Sequence, residues 1–582
     1  MTDHRPWFAS YPEGVPHTLE PYPEKPLYAL LQEAADRYPG RPALVWAVPG
    51  GKTLTYRQVQ EETERFSAAL ASLGVGRGDR VGLLLPNCPQ YVIAFYATVR
   101  IGAVIVGNNP LYTRRELTHQ LQDAGIEVLV ALDQLYPNVE PLRDEVGLRE
   151  VVVTSVTDYM KFPVNVVAPL KFKREARHEG RPWPPVPDTA KVRTWKELMR
   201  SGGAIPPVAA VDARNDVAGF IYTGGTTGLS KGAMLSHFNL VSNAMQSASW
   251  FPGLREGQEA MMCILPFFHS YGMTVCMNVG IYKAAKLVLL PRFELEMTLK
   301  AIQKERPTMF PGVPRLYIAL NEAEETRDYD LKSVRACLSG AAPLPLAVAK
   351  KFNSITGASV VEGYGLTETS PVTHANPITG GAREGSIGLP IPDTDCKLVD
   401  VDDPSKMAEP GAEGELCIAG PQVMLDYWNR KEESDDMIRT DGNGVRWLHS
   451  GDIAKTDDDG FFSIVDRKKD MIIVSGFNVY PTDVEQALYQ HPAVEKVAVV
   501  GVPDEKTGEA VKAFVVLRKG ERATSEEIAR WAHGELTGYR APKQVEIRDS
   551  LPETMVGKVL RRVLVDEEKK KAGAESQERS GS

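Results

Sequence analysis

Val217-Ala-Gly-Phe-Ile-Tyr-Thr-Gly-Gly-Thr-Thr-Gly-Leu-Ser-Lys-Gly232 is an apolar run that leads straight into a loop of glycines and hydroxyl residues. Residues 217–223 are short and apolar, as a buried β-strand is. In the loop, backbone N–H groups, hydroxyls and the Lys231 ammonium can approach phosphate oxygens, and glycine is needed where a Cβ atom would block that approach. The stretch therefore predicts a phosphate site at a strand end; a flexible turn between two strands is the alternative.

The loop differs from two common phosphate motifs. A Walker A loop has Gly-x-x-x-x-Gly-Lys followed by Ser or Thr, whereas here Lys231 follows Ser230 and precedes a glycine. The Gly-x-Gly-x-x-Gly pattern of dinucleotide-binding loops is not present in this stretch either. On its own, the loop therefore identifies neither the nucleotide nor the reaction.

Short apolar segments alternate with helical patterns on both sides of the loop. Further strands are expected at 42–47, 80–85, 102–107, 127–132, 151–155, 336–340 and 359–365. A helical pattern from Tyr56 to Leu73 ends at Gly74, a residue suited to a left-handed cap. This alternation predicts an α/β fold with mostly parallel sheets. Three strands end in glycine-containing loops, so their ends are expected to share one crevice.

The last hundred residues have a different pattern, typical of a small α+β domain. Four brief strands accompany helices expected at 481–490 and 525–536. Thr524 and Glu527 have the spacing of a capping box at the start of the second helix. The charged segment 466–470 suits a hinge, and the charged tail after Asp566 is expected to be disordered.

Bulk properties are those of a globular protein with more than one domain. The 582 residues are 43% hydrophobic and 25% charged, with a net charge of −9 that argues against a nucleic-acid partner. The six cysteines form no C-x-x-C pair, so neither a disulfide framework nor a zinc site is expected. No apolar signal segment and no run of about 20 uncharged residues is visible, which predicts a cytoplasmic location.

The loop from Tyr222 to Gly232 resembles the signature loop of the adenylate-forming superfamily, which includes acyl-CoA synthetases, peptide-synthetase adenylation domains and luciferases. Further motifs follow in the superfamily's order: Ser339-Gly-Ala-Ala-Pro-Leu344, Tyr364-Gly-Leu-Thr-Glu368, Ser450-Gly-Asp452, Asp466-Arg467 and Leu551-Pro-Glu-Thr-Met-Val-Gly-Lys558. The resemblance extends from about residue 20 to residue 565. Together these motifs are far more specific than any one alone.

The resemblance implies a large N-terminal α/β region with several subdomains, including a small β-barrel-like part, and a small mobile α+β C-terminal domain. The expected divisions are an N-terminal arm (1–24), a large AMP-binding domain (25–466), a hinge (467–470), a small domain with the catalytic lysine (471–566) and a disordered tail (567–582). Within the hinge, Lys469 occupies the position about which the small domain of the relatives swings between two arrangements.

Three residues are expected to serve catalysis. A carboxylate that attacks the α-phosphate is repelled by it, and in the superfamily a lysine at the position of Lys558 contacts both groups and offsets that repulsion. Glu368 is expected to hold Mg²⁺, which prefers oxygen ligands and phosphates, with Thr227 sharing the contact. The alternatives are a solvated lysine and a carboxylate favoured at a helix start by the helix dipole.

The other expected site residues bind ATP and coenzyme A. The pyrophosphate side is assigned to Thr223, Gly224, Gly225, Thr226, Gly228 and Lys231, and the adenine side to Gly340, Ala341 and Ala342. Tyr364, Gly365 and Thr367 are further expected cofactor-binding residues. Asp452 and Arg467 are expected to bind ribose, with a surface ion pair of little energetic value as the alternative. The pantetheine path is assigned to Ser475, Gly476 and Phe477.

Several details favour a long-chain fatty acid as the substrate. The segment from Gly414 to Trp428 resembles that of bacterial fatty acyl-CoA synthetases, although Asp426 replaces their usual glycine. His269 and Met273 are expected to contact the acyl substrate. The predicted enzyme is therefore an acid–thiol ligase that forms acyl-AMP and then acyl-CoA. The alternatives are a CoA ligase for aryl or medium-chain acids and a luciferase-like monooxygenase.

The segment that begins near Asp158 suggests a further partner. Between residues 161 and 181, six basic side chains accompany only Glu175 and Glu179, a local charge of +4 on a chain of −9. Apolar residues are interleaved with them, so peripheral contact with an anionic membrane is one interpretation. A solvated insertion is the other. A second copy of the chain, forming a homodimer, is also among the expected partners, and the sequence leaves the oligomeric state open.

Overall fold

The computed structural model of the chain describes residues 5–178, 191–201, 203–223, 230–475, 477–504, 506–536, 538–554 and 559–580. Its contacts divide the chain into two compact units. The first unit contains residues 1–224, 229–395 and 419–446, and the second contains residues 225–228, 396–418 and 447–582.

The helices alternate with strands through most of the chain. The α-helices are α1 (Ala29–Arg37), α2 (Tyr56–Ser72), α3 (Pro89–Arg100), α4 (Arg114–Ala124), α5 (Tyr136–Val139), α6 (Val164–His178), α7 (Trp195–Ser201), α8 (His237–Ser249), α9 (Val279–Tyr282), α10 (Leu295–Glu305), α11 (Pro314–Glu322), α12 (Leu346–Thr356), α13 (Lys431–Met437), α14 (Pro481–Tyr489), α15 (Ser525–Glu535) and α16 (Arg561–Ser580).

The strands are short, as the apolar segments predicted. They are β1 (Pro42–Trp46), β2 (Thr53–Thr55), β3 (Arg80–Leu84), β4 (Val104–Gly107), β5 (Val128–Leu132), β6 (Glu150–Thr154), β7 (Val192–Thr194), β8 (Val217–Thr223), β9 (Lys231–Ser236), β10 (Ala260–Cys263), β11 (Lys286–Leu289), β12 (Ala336–Ser339), β13 (Ser359–Gly365), β14 (Val372–Ala375), β15 (Leu389–Pro390), β16 (Asp395–Val399), β17 (Gly414–Ala419), β18 (Ile438–Thr440), β19 (Arg446–Thr456), β20 (Phe462–Arg467), β21 (Ile472–Val474), β22 (Phe477–Val479), β23 (Val494–Asp504), β24 (Gly508–Leu517) and β25 (Gln544–Ile547).

Local signals in the sequence account for several helix ends. The Thr524 side chain accepts a hydrogen bond from the Glu527 N–H, and the Glu527 carboxylate accepts one from the Thr524 N–H, which confirms the predicted capping box. After α2, Gly74 has a φ of +76°, as expected for a glycine that ends a helix.

The larger sheet of the first unit has the strand order β7-β6-β5-β3-β4-β8-β9. All neighbouring strands are parallel except β9, which pairs antiparallel with β8. Most side chains of the central strands are buried, as in a parallel sheet with both faces covered. Leu117 and Leu121 of α4 pack into this core against Val106 and Phe220. The expected α/β fold is confirmed.

A second sheet region consists of two four-stranded parts, β10-β11-β1-β2 and β12-β13-β14-β15. Met309 joins them, because it forms parallel bridges with both Met261 and Ala336. β12 and β13 are parallel neighbours in this region, whereas β8 belongs to the other sheet. The three strand ends that were expected to meet therefore come from two sheets.

The second unit contains an antiparallel sheet where a barrel-like part was expected. β17 and β20 both pair with β19. Downstream, β22-β21-β24-β23 form a sheet, with β25 parallel to β24. Alternate residues of β23 and β24 point to opposite faces: one face packs against α14 and α15, and the other packs against Leu564 of α16.

Two expectations about the C-terminal region need correction. The compact units do not divide at residue 466, since residues 396–418 and 447–466 cluster with the C-terminal residues. One reason is that the Asp466 carboxylate accepts a hydrogen bond from the Thr482 N–H at 2.7 Å. The tail was expected to be disordered, but α16 continues to Ser580. Glu568 of this helix lies 2.7 Å from Lys512 of β24, which ties the helix to the sheet.

All six cysteines lie within the described residues, none of them is in a disulfide, and five are buried. In the part of the chain that the structure describes, no helix is long and apolar enough to cross a membrane.

Candidate active site

The glycine-rich loop joins two antiparallel strands. Thr223 at the end of β8 pairs with Lys231 at the start of β9, so the loop closes a β-hairpin. A Cβ atom on Gly232 would lie 3.2 Å from the Tyr222 ring, which favours glycine there. The predicted binding residues Gly224, Gly225, Thr226, Thr227 and Gly228 lie outside the described residues. The described strands on either side of the loop are antiparallel partners, and phosphate binding by the loop remains a prediction.

Side chains from α4 hold both strands of this hairpin. The Tyr222 hydroxyl donates a hydrogen bond to the Asp123 carboxylate at 2.7 Å, and Arg430 pairs with the other carboxylate oxygen at 2.7 Å. Burial and the nearby Asp123 raise the pKa of Tyr222, so the hydroxyl keeps its proton and remains a donor. The His119 ring lies 3.1 Å from the Ser230 carbonyl, directly after the loop. The loop base is therefore fixed at several points.

Glu368 is buried in a short 3₁₀ turn that follows β13. The Tyr427 hydroxyl donates a short hydrogen bond to its carboxylate. Burial, followed by the charge of Glu368, raises the pKa of Tyr427 and keeps it a donor. The Lys231 ammonium lies 5.2 Å from the centre of the Tyr427 ring and 3.8 Å from Glu433. Tyr427 thus connects the lysine of the loop to the predicted metal ligand.

A single carboxylate, that of Glu368, is compatible with a magnesium ion that arrives bound to ATP. The described residues contain no group of three or more His, Cys, Asp or Glu side chains placed to hold a metal by themselves. Mg²⁺ in nucleotide sites is commonly held by one or two carboxylates, phosphate oxygens and water. Glu368 fits that role, because its carboxylate oxygens have one firm donor, Tyr427, that sets their orientation.

The predicted residues on the adenine side, with the further expected cofactor-binding residues, lie in the loop after β12, at the end of β13 and in the turn that follows β13. The Gly340 N–H donates to the Gly312 carbonyl at 3.2 Å, and Ala341 has a φ of +68°, an unusual conformation for a residue with a Cβ atom. At Gly365 a Cβ atom would lie 2.0 Å from the Pro371 carbonyl oxygen, so only glycine fits. Strained positions of this kind cluster at binding sites.

The remaining predicted residues on this side lie close by. Ala342 follows Ala341 in the loop, and Thr367 begins the turn that contains Glu368. The Tyr364 ring contacts the His374 ring edge-on, with 5.8 Å between centroids.

Glu362 is a polar residue of this region that the sequence motifs did not indicate. It lies on β13 and accepts a hydrogen bond from the Leu344 N–H at 3.2 Å, so it links β13 to the loop after β12. Burial raises its pKa to about 7, because desolvation disfavours the charged form. The sequence shows that Glu362 lies two residues before Tyr364, but it does not show that the Glu362 side chain is buried.

The predicted acyl-binding residues lie on a segment that contacts the turn of Glu368. His269 accepts a hydrogen bond from the Tyr271 N–H at 3.2 Å, and the hydroxyls of Ser270 and Thr367 are 3.3 Å apart. Met273 is almost fully buried in a π-helix over Gly272–Asn278. π-Helical segments are rare and often occur at functional sites.

In the second unit, Asp452 and Arg467 lie side by side. They are partners in the β19–β20 ladder, and Arg467 Nε lies 3.1 Å from Asp452 Oδ1. Asp452 is only 2% exposed, so this is a partly buried pair and not the surface pair considered as the alternative. Beside Asp452, β19 is irregular in its pairing with β17, and Gly451 there has a φ of +69°.

Glu415 of β17 supports the same irregular part of β19 and was not predicted. Its carboxylate accepts the Gly451 N–H at 3.2 Å and pairs with Lys468 at 3.3 Å. Burial alone would raise the pKa of Glu415, but His449 and Lys468 outweigh it and lower the pKa to about 2. The carboxylate therefore stays charged and ties the ribose motif to the residue just before Lys469.

The predicted pantetheine residues lie beside an aromatic pair. Ser475 has a φ of +51°, and Phe477 is 59% exposed with its ring 5.0 Å from that of Tyr539. Gly476 and the catalytic candidate Lys558 lie outside the described residues. Lys469 lies in a turn between β20 and β21.

Family models match both parts of the chain. Residues 31–428 match the model described as AMP-binding enzyme, and residues 483–558 match the AMP-binding enzyme C-terminal domain. A long-chain-fatty-acid–CoA ligase of Bacillus subtilis is 43% identical, over 98% of this chain and 99% of the relative.

Two solved structures are similar over nearly the whole chain. ATP-bound MatB from Rhodopseudomonas palustris has a TM-score of 0.79 and 28% identity, covering 93% of this chain and 98% of its own. A long-chain-fatty-acid–CoA ligase from Archaeoglobus fulgidus has a TM-score of 0.68 and 27% identity, covering 92% and 99%. The chain therefore belongs to the AMP-binding enzyme family, within which it groups with long-chain-fatty-acid–CoA ligases.

Proposed function

We propose that this protein is a long-chain fatty acid–CoA ligase. It joins a fatty acid to AMP with release of pyrophosphate, and then transfers the acyl group to the thiol of coenzyme A with release of AMP. The observation that carries the proposal is the connection of Lys231, Tyr427 and Glu368 beside the glycine-rich hairpin. The full-length similarity to fatty-acid ligases supports the choice of substrate.

In the first reaction, the chain's residues bind and orient two anions. Lys231 and the loop between it and Thr223 receive the β- and γ-phosphates, and Glu368, with Thr227, holds the Mg²⁺ that ATP brings. When bound there, Mg²⁺ would supply positive charge to offset that of the phosphates. Lys558 contacts both the fatty-acid carboxylate and the α-phosphate, which offsets their mutual repulsion.

Nucleoside binding divides between two groups of residues. The loop of Gly340, Ala341 and Ala342 and the segment around Tyr364 enclose the adenine. Asp452 accepts hydrogen bonds from the ribose hydroxyls, and Arg467 keeps the Asp452 carboxylate oriented.

The second reaction needs coenzyme A where Lys558 acted before. Rotation about Lys469 removes Lys558 and brings Ser475, Gly476 and Phe477 to the pantetheine path. The exposed Phe477 and Tyr539 rings offer apolar surface to the pantetheine chain.

A ligation assay tests the proposal. The purified protein is given ATP, Mg²⁺ and coenzyme A with acids from C2 to C20 and two aryl acids, and AMP and thioester are measured. We expect equal yields of AMP and acyl-CoA, with the highest kcat/KM for long chains. A preference for aryl or medium-chain acids would reject the long-chain assignment, and oxygen-dependent light or oxidation without thioester would reject the ligase.

We further propose that α6 docks on anionic membrane surfaces, where long-chain fatty acids partition. Four apolar side chains near its start are 57–82% exposed: Phe162, Val166, Val167 and Leu170. Lys173 and Arg174 follow on the same exposed helix. An apolar stripe next to basic residues is the pattern of helices that lie in the membrane interface.

Liposome co-sedimentation tests the docking. Lys173→Glu/Arg174→Glu is compared with Lys569→Glu/Lys570→Glu, a pair of exposed lysines whose substitution changes the net charge equally. We expect the first pair to reduce binding to anionic vesicles and the second to leave it unchanged, with wild-type binding weakened by salt. Equal, salt-insensitive binding by all three proteins would reject the proposal.

A further inference from the structure

The described residues on the two sides of 555–558 contact each other. Glu553 and Val559 form an antiparallel bridge, and the Leu560 N–H donates to the Pro552 carbonyl at 2.7 Å. The chain just before and just after residues 555–558 is thereby held together.

Arg561 begins α16 three residues after Lys558 and faces three carboxylates. Its guanidinium makes hydrogen bonds of 2.7 and 2.8 Å to the two oxygens of Glu485 and one of 3.2 Å to Asp470. Asp466 lies 3.9 Å away. Only 21% of the Arg561 side chain and 13% of the Glu485 side chain are exposed. This two-pronged pairing fixes the orientation of both groups.

These partners connect distinct elements of the second unit. Glu485 lies on α14 and also accepts the Val499 N–H of β23 at 2.8 Å, so it is itself held by the sheet. Asp466 and Asp470 stand on either side of Lys469, the expected hinge residue. One guanidinium therefore joins the start of α16 to the small sheet and to the hinge segment.

We propose that Arg561 is a positioning residue for adenylate formation, holding the start of α16, three residues after Lys558, in a fixed orientation relative to Lys469. The inference rests on the proposed function of Lys558. Three extended residues span at most about 10 Å, so an anchor at Arg561 restricts where the Lys558 ammonium can reach. Misplacement of a reacting group by about 1 Å can cost about 100-fold in rate, so this restriction affects turnover.

A purely stabilising role makes a different forecast. If Arg561 served only to hold the small sheet together, its loss would lower both half-reactions in parallel with thermal stability. A positioning role affects only the half-reaction that uses Lys558. Thioester formation from supplied acyl-AMP needs no lysine at the α-phosphate and is spared.

The experiment compares Arg561→Gln and Arg561→Lys with Arg562→Gln. Arg562 is the next residue, is 42% exposed and pairs with Asp566 at 3.4 Å, so it is a matched control. For each protein we measure ATP–pyrophosphate exchange, conversion of supplied palmitoyl-AMP and coenzyme A to thioester, and the melting temperature. Arg561→Gln is expected to slow exchange by about 10- to 100-fold, with little change in the KM for ATP and in the thioester rate.

The other proteins complete the comparison. Arg561→Lys keeps the charge and is expected to recover part of the exchange rate, and Arg562→Gln is expected to match the wild type. Equal loss of both half-reactions, or no loss of exchange, would overturn the proposal. If Arg561→Gln does not fold, Asp470→Asn removes the contact on the hinge side and decides by the same ratio. A wild type without exchange with any acid would instead reject the proposed function.

Discussion

The Tyr427 hydroxyl orients the Glu368 carboxylate. The sequence motif identified Glu368 but not Tyr427. Tyr427→Phe removes only the hydroxyl that donates to Glu368. Because loss of a group that orients a metal ligand typically costs about 10- to 100-fold in affinity or activity, we expect slower pyrophosphate exchange and a higher Mg²⁺ requirement. Exchange rates measured over a range of Mg²⁺ concentrations check this.

Tyr136→Phe is the control for this substitution. The Tyr136 hydroxyl is buried and makes no hydrogen bond to the described residues. Removing it should leave exchange and the Mg²⁺ dependence unchanged. If Tyr427→Phe behaved like Tyr136→Phe, Tyr427 would have no part in orienting Glu368.

Glu362 makes stability depend on pH near neutrality. Burial raises its pKa from 4.5 to about 7, so the folded protein holds this proton more tightly than the unfolded chain. The protonated group therefore favours folding fully below pH 4.5, and this contribution is lost as the pH rises through 7. At 1.36 kcal/mol per unit, the loss is about 3 kcal/mol at most.

The comparison with Glu362→Gln isolates this group. Glutamine resembles the protonated carboxyl and does not titrate. The free energy of unfolding of the wild type, minus that of the variant, should fall between pH 5 and pH 8 in urea denaturation. A difference that is flat or rises with pH would show that burial does not control the pKa of Glu362.

At the scale of elements, α4 anchors the hairpin that carries the glycine-rich loop. The Asp123 carboxylate of α4 accepts a hydrogen bond from the Tyr222 hydroxyl and pairs with Arg430. The Asp123 backbone carbonyl accepts a hydrogen bond from the Trp428 ring N–H at 2.9 Å. Asp123→Ala leaves a partly buried guanidinium without its carboxylate, which costs about 2–4 kcal/mol of stability. We also expect the KM for ATP to rise, since the loop base loses an anchor.

Urea denaturation and ATP kinetics measure the two effects. Asp144→Ala serves as the comparison. The Asp144 side chain is 87% exposed, and its ion pair is long, with 4.0 Å between its carboxylate and Arg143 Nε. That change should alter the free energy of unfolding by less than about 0.5 kcal/mol. Equal effects of the two substitutions would mean that α4 does not hold the hairpin.

Elements with strong local patterns could be predicted from the sequence. β8 and β13 begin and end where their apolar segments predicted, and the capping box at Thr524 formed as expected. The tail was expected to be disordered because its charged composition suggested solvation. In the structure, the Glu568 carboxylate pairs with Lys512 on a strand that is distant in the sequence. Charged residues help to predict a helix from the sequence when their ion-pair partners are three or four positions away.

The candidate site was predictable where it follows motifs and unpredictable where it depends on folding. Asp452 and Arg467 were paired in advance because both lie in known motifs. Tyr427 is 59 residues from Glu368, and no local spacing indicates that their side chains meet. The same holds for Arg561 and Glu485, which are 76 residues apart.

At the scale of the molecule, two reactions with opposite needs share one acyl group. Adenylate formation requires a cation between two anions, and thioester formation requires space for a thiol at the same carbon. We propose that a mobile small domain resolves this conflict by bringing different residues to the site in turn. The proposal assigns Lys558 to the first arrangement and Lys469 to the motion.

Lys558→Ala tests the first assignment. Without the ammonium, repulsion between the fatty-acid carboxylate and ATP is no longer offset, so adenylate formation should nearly disappear. Supplied acyl-AMP should still be converted to acyl-CoA, because that reaction does not use the lysine. Separate assays of the two half-reactions check this, and an equal fall in both would indicate that Lys558 is structural.

Lys469→Pro tests the motion. Proline fixes φ near −65° and so restricts rotation about this residue, whereas Lys469→Ala removes the same side chain and leaves the backbone able to rotate. If the hinge lies here, the proline variant should keep pyrophosphate exchange while thioester formation falls, and the alanine variant should retain both. Loss of exchange in the proline variant would place the hinge at another residue. Loss of thioester formation in both variants would assign the effect to the lysine side chain instead of to rotation. The ratio of the two half-reaction rates therefore distinguishes a hinge from a contact.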